Sequence, residues 1–104
     1  MKFIIYNGSL KADAESNTFS VCKMTQLAFE KLGHECEVVT LRDLDYEGST
    51  SDVNDELKPH IMKMFKADGV IFATPIWWGN HSCHIQAMLE RLDVIYSWAK
   101  DNGY

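Results

Sequence analysis

Three short apolar runs, spaced by segments just long enough to hold one helix each, constrain this chain most. Residues 2–7 (KFIIYN), 35–41 (ECEVVTL) and 69–74 (GVIFAT) have strand length and are rich in β-branched and aromatic side chains. Between the first two, Val21, Met24, Ala28 and Leu32 recur at helical spacing and stop at Gly33, which predicts an amphipathic helix over 17–32 with a glycine terminator. Leu57, Ile61, Met64 and Phe65 predict a second helix over 55–66, with Pro59 early in it where a missing N–H costs little. After Ser82, a candidate cap, Ile85, Met88, Leu89 and Leu92 predict a third. Residues 42–55 are polar and read as a loop. Strands joined through helices run parallel, and right-handed crossovers then favour the spatial order 2-1-3. The expectation is an α/β fold of three layers, αβα, in one domain over residues 1–104, with any ligand at the carboxyl edge of the sheet between strands 1 and 3, where the winding reverses.

Composition removes several function classes. A net charge of −5, with ten basic residues scattered along the chain, argues against nucleic-acid binding. No apolar run approaches the ~20 residues of a membrane span, and Met1-Lys2 leads directly into the first strand, so no leader peptide is expected. Cys22, Cys36 and Cys83 form no CxxC pair; reduced thiols in the cytoplasm are the simplest reading. Asp43, Asp45, Glu47 and Asp52 lack EF-hand spacing. His81 and His84 have no third ligand at matching spacing, so no metal is expected. His84 reads as a surface helical residue, Cys83 as a small packing residue, and Glu90 and Arg91 as helix surface or a cross-loop pair.

Two segments carry chemistry. Gly8-Ser9 ends the first strand, Gly8 permitting an unusual backbone angle, and Ser16, Asn17 and Thr18 open the first helix, where unpaired N–H groups and a positive dipole end suit a phosphate. Lys11 adds a charge nearby. The competing reading is that Ser16-Asn17-Thr18 only caps the helix. Thr74-Pro75-Ile76-Trp77-Trp78-Gly79-Asn80 follows the third strand; it offers flat aromatic surface and a turn able to present backbone amides to a ring. One tryptophan is expected to face the ring and the other protein. A phosphate site and a ring site on adjacent strands together point to a flavin mononucleotide (FMN) pocket. His81 stands at its rim.

The GS–SNT spacing, followed by VNDELKPHIMKMFKADGVIFATPIWWGNHSCHIQAMLERLD, closely resembles the NAD(P)H-dependent FMN reductase family of flavodoxin-like proteins, which includes quinone reductases and iron–sulfur flavoproteins. The likeness runs over nearly the whole chain and is strongest from Asn54 to Asp93. It implies a flavodoxin-like fold, FMN as cofactor and NADPH or NADH as co-substrate. The FMN phosphate would lie on Ser9, Ser16, Asn17 and Thr18, and the ring on Pro75, Ile76, Trp77, Trp78, Gly79 and Asn80. Hydride would pass from nicotinamide to flavin N5, with no catalytic side-chain acid or base required, and then on to a small-molecule acceptor such as a quinone or free flavin. Three departures stand out. Residues 42–55 hold no cysteine cluster, which disfavours the iron–sulfur branch. Gln86 stands where a basic residue is expected. Strands 4 and 5 of the family fold are missing, so the fold looks truncated at its carboxyl end. The third strand's flank and the third helix are therefore expected to be covered in a homo-oligomer, a dimer. Two rival readings remain: a flavodoxin-like electron carrier, and a non-catalytic fold acting only by protein contacts.

Overall fold

The computed structural model describes residues 1–11, 16–46, 55–76 and 79–103, the side chains of residues 94, 95 and 98 excepted. Strand β1 (Lys2–Asn7) is followed by helix α1 (Asn17–Lys31), strand β2 (Glu35–Thr40), helix α2 (Leu57–Met62), strand β3 (Gly69–Ala73) and helix α3 (Cys83–Asp101). The three strands form one parallel sheet in the order β2-β1-β3, as the crossover argument requires. Register places Ile4 beside Glu37 and Val70, and Tyr6 beside Val39 and Phe72; these rows share one face. Ile5, Val38 and Ile71 share the other.

The first face is closed by α2 and α3. Ile4, Tyr6, Val39, Leu41, Leu57, Ile61, Ile85 and Met88 are buried together there. The Tyr6 hydroxyl donates to the His60 carbonyl at 2.6 Å, satisfying the one polar atom of that ring, and burial pushes its pKa up. Phe72 stacks on Tyr6 at 5.7 Å from the strand next to it.

On the second face α1 lies over β1 and β2. Phe29 stacks on Phe3 at 4.2 Å, and Gln26 Nε2 donates to the Cys36 carbonyl at 2.9 Å. The helix departs from expectation in which residues it buries. Cys22 is the buried residue of α1, whereas Val21, Met24, Ala28 and Leu32 are exposed. The helix is apolar on two sides, and the row facing the sheet is the one centred on Cys22 and Phe29. Its end is as expected: Gly33 takes φ +86°, its N–H bonds the Glu30 carbonyl, and His34 N–H bonds that of Phe29, a Schellman closure.

Other boundaries move by a residue or a turn. The second strand stops at Thr40 and continues as a 3-10 turn, Leu41–Asp43; the third stops at Ala73; and the second helix tightens into 3-10 geometry at Lys63–Lys66. Strand β3 is half-buried rather than covered on both faces, because among the described residues nothing pairs with its outer edge. Most of the acidic loop, residues 47–54, lies outside the described residues. Its ends are tied together, since Glu56 N–H bonds the Asp45 carbonyl at 3.1 Å and the Glu56 carboxylate receives Asp45 N–H.

Candidate functional site

The site is built from the turn after β1. Asn7, fully buried at 0% exposure, turns its carbonyl oxygen back to accept Ser9 N–H at 3.1 Å, an Asx turn that bends the chain off the strand. Its amide reaches Thr40 Oγ1 on β2 at 3.4 Å. Gly8 then passes directly beneath α3. A Cβ there would lie 2.7 Å from Ser82 Oγ and closer still to Ile85, so close approach explains the glycine. The unusual backbone angle expected at Gly8 is not found; Gly33, Gly79 and Gly103 are the described glycines at positive φ.

Ser9 and Ser16 are both buried and bonded to each other. The Ser16 hydroxyl donates to Ser9 Oγ at 2.7 Å and accepts Phe19 N–H at 2.9 Å, which makes Ser16 the N-cap of α1. Ser9 Oγ also accepts Lys11 N–H at 3.2 Å. Whichever way the serine–serine bond runs, one hydroxyl proton of the pair has no acceptor among the described residues. The N–H groups of Asn17 and Thr18, in the first turn of α1, are likewise unbonded among them. These groups surround one cavity of about 120 Å³ lined by Ser9, Lys11, Ser16, Asn17, Thr18 and Pro75. That is near the volume of ~4 liquid waters, enough for a tetrahedral anion. Three of the lining residues come from the β1–α1 turn and two from the first turn of α1; Pro75 comes from the loop after β3. The cavity therefore sits at the carboxyl edge between β1 and β3, where the winding reverses. Capping and anion-holding are compatible here, since the cap uses Ser16 and leaves two N–H groups over.

The loop after β3 is braced at its base. Thr74 Oγ1 accepts Ser82 N–H at 2.8 Å and donates to the Pro75 carbonyl at 2.9 Å, while Ser82 Oγ accepts Ile85 N–H at 3.3 Å and caps α3. Gly79 takes φ +77°, a left-handed position that suits glycine. Ile76, Gly79 and Asn80 are exposed on this loop and do not line the anion-sized cavity. Trp77 and Trp78 lie outside the described residues. His81 at the rim bonds Gln86, whose amide donates to Glu90 at 3.2 Å, so Gln86 links a histidine to a carboxylate.

Two side chains differ from expectation, and a third takes one of its two expected forms. His84 is half-buried, with its Nδ1 on the Tyr46 hydroxyl, because the chain entering the acidic loop folds back over α3. Burial, and then the Arg42 charge, lowers its pKa; burial, with the neighbouring Cys83 next in size, raises that of Tyr46. Cys83 is exposed at the start of α3 rather than packed. Arg91 is 1% exposed and grips Asp55 with both ends of its guanidinium, at 3.1 and 2.7 Å, so the cross-loop alternative holds with Asp55 as partner. Sequence reading gave no role to Asn7 or Asp55, and named Thr74 only as the start of the loop. The available signals were an Asn-Gly step at a strand end, and an aspartate three residues before Lys58, whose N–H it accepts at 3.1 Å.

A family model described as NADPH-dependent FMN reductase matches residues 1–103. The chain belongs to that family. An iron–sulfur flavoprotein from Archaeoglobus fulgidus is 28% identical over 101 residues, covering 88% of this chain and 48% of its own length. A crystal structure of RosB with the bound intermediate OHC-RP (8-demethyl-8-formylriboflavin-5'-phosphate) superposes with a TM-score of 0.77 at 25% identity. It covers 90% of this chain and 42% of that one. The chain thus spans about half the length of these relatives, and the flavodoxin-like αβα arrangement is common to this half. Among the described residues no three His, Cys, Asp or Glu side chains gather to hold a metal ion, and no helix is long and apolar enough to cross a membrane.

Proposed function

We propose that this FMN reductase family member binds FMN and serves as a flavin oxidoreductase, accepting hydride from NADPH or NADH and passing electrons to a quinone or to free flavin. The observation that carries the reading is the 120 Å³ cavity at the carboxyl edge. Its donors suit a phosphate monoester. The N–H groups of Asn17 and Thr18 and the serine hydroxyl proton, all unbonded among the described residues, would each meet a phosphate oxygen, and Lys11 supplies a positive charge. FMN, when bound, supplies the hydride-accepting ring. The loop 75–80 would position that ring, Thr74 and Ser82 fixing the loop's ends. The riboflavin phosphate skeleton in the RosB structure and the flavoprotein relative support the same cofactor. The free cysteines Cys22, Cys36 and Cys83 support a cytoplasmic setting.

Titration of the purified chain with FMN, followed by flavin fluorescence, tests this. Saturable quenching is expected. Lys11→Ala should weaken it about tenfold, the size of one lost charge-assisted hydrogen bond. Absence of binding at tens of micromolar FMN would leave the non-catalytic reading in its place. The net charge of −5 favours a second reading, an electron carrier docking on a basic partner. Rapid bleaching of bound flavin by NADPH or NADH distinguishes the reductase from the carrier.

A further inference from the structure

Three polar side chains are bonded in a row at the start of α3, next to the loop that would carry the ring. Gln86 and Glu90 lie one turn apart on the same side of the helix, and the Gln86 amide nitrogen donates to the Glu90 carboxylate at 3.2 Å. The Gln86 carbonyl oxygen faces the other way, to Nε2 of His81. The backbone under this row is fixed. Ser82 N–H is held by Thr74 Oγ1 at 2.8 Å, Ser82 Oγ accepts Ile85 N–H at 3.3 Å, and Gln86 N–H bonds the Ser82 carbonyl at 3.0 Å. His81 is therefore anchored between the loop 75–80 and the first turn of the helix. The direction of the side-chain bonds is forced as well. A carboxylate only accepts, so Gln86 must give it an amide proton, and what Gln86 then offers His81 is an acceptor. Nε2 carries a proton in the neutral ring as in the charged one, and every proton the imidazole gains or loses passes through Nδ1. Nδ1 bonds nothing among the described residues, and Glu90 is the one charged group joined to His81 through hydrogen bonds among them. His84, further along α3, turns instead to Tyr46 and the Arg42 charge.

We propose that His81, held as the Nε2–H tautomer by Gln86 and Glu90, gives the proton that a quinone acceptor needs at the ring loop, with Gln86 and Glu90 as positioning residues. The destination of the proton rests on the flavin oxidoreductase reading; the tautomer does not. Accepting hydride from a nicotinamide asks no acid of the protein. Passing electrons on to a quinone consumes a proton, and there an acid acts. A hydride, whose source is NADPH or NADH, converts the quinone to the hydroquinone monoanion. The anionic oxygen then takes the proton from Nδ1, so that an N–H bond breaks, an O–H bond forms and the imidazolium becomes neutral. Solvent returns a proton to Nδ1, and the net products are hydroquinone and oxidised nicotinamide. The glutamine at position 86 matters to this. The basic residue expected there would offer Nε2 a donor and move the neutral ring's proton to Nδ1, reversing which nitrogen titrates.

Heteronuclear NMR of the imidazole nitrogens, on the whole chain without flavin, reads the tautomer directly. Neutral His81 is expected with Nε2 protonated and Nδ1 bare. Gln86→Lys should reverse that assignment while leaving the far-ultraviolet circular dichroism unchanged. For the FMN-loaded chain, electron transfer to a water-soluble benzoquinone is followed against pH. Its rate should fall as the pH rises through the point at which NMR shows Nδ1 losing its proton. His81→Gln should slow the transfer about a hundredfold and abolish that inflection. His81 in the other tautomer, or a profile that His81→Gln leaves intact, would overturn the proposal with the flavin reading still standing. A chain that binds no FMN would overturn the flavin reading, and delivery of the proton to a quinone with it.

Discussion

The two faces of the sheet are built from equally apolar strands and end up in different states. Ile4 and Tyr6 lie under α2 and α3 in a closed core, with polar links that lock the cover in place: Tyr6 to His60, Arg91 to Asp55, Tyr46 to His84. Across the sheet, α1 is the one helix among the described residues that covers β1 and β2, and the row ending at Ile71 runs out into an open groove. Strand composition therefore does not decide burial here. The number of helices laid over each face does, and a closed face can carry the ionic and hydrogen-bonded clasps that an open one cannot exclude from water.

The sharpest way to break that contrast is to remove a clasp. Arg91→Ala leaves the largely buried Asp55 carboxylate without its guanidinium and should destabilise the fold by ~3–5 kcal/mol, measured by urea unfolding. Next comes a matched pair of truncations. Met88→Ala, in the closed core, should cost ~2–5 kcal/mol. Leu27→Ala, on the exposed side of α1, should fall within about 0.5 kcal/mol of the parent. Equal losses from the two would mean that the faces are not different in kind.

The same contrast explains what could be read from the sequence. Strand order and all three helices were legible because period-2 and period-3.6 patterns, together with right-handed crossovers, leave few arrangements. Ser9, Ser16, Asn17 and Thr18 could be named because small polar residues at a strand end and helix start cap the helix, present donors to an anion, or both. The buried side of α1 was not. With Val21, Met24, Ala28 and Leu32 on one stripe and Cys22 and Phe29 on another, periodicity offers two apolar faces, and contact with Phe3 and Cys36 chooses between them. Arg91 was equally opaque, because its partner stands 36 positions away and nothing local marks a charged helical residue as buried.

A smaller effect probes where the closed face meets the candidate site. Gly8→Ala would push a methyl group against Ile85 and Ser82, forcing α3 away from the end of β1. The expected cost is ~1–3 kcal/mol, typical of overpacking. Since Ser82 N–H is held by Thr74, the displacement should carry into the loop after β3. If stability is unchanged, α3 is free to shift and the clasps hold it more loosely than their geometry implies.

The smallest expected effect is a pH dependence carried by the clasp at His84. Burial, and then the Arg42 charge, lowers its pKa in the folded chain below the ordinary 6.5. Below that value the unfolded chain binds the proton more readily than the folded one, so acid favours unfolding. The contribution to stability is therefore complete above the unfolded value and is lost as pH falls through the window beneath it. His60 shifts the same way, for burial first and the Lys63 charge second, and must be separated from it. Urea midpoints of the wild type should fall as the pH drops below about 6.5. His84→Phe should flatten that decline, and adding His60→Phe should flatten it further. A decline that survives both substitutions unchanged would place the acid sensitivity outside the closed face.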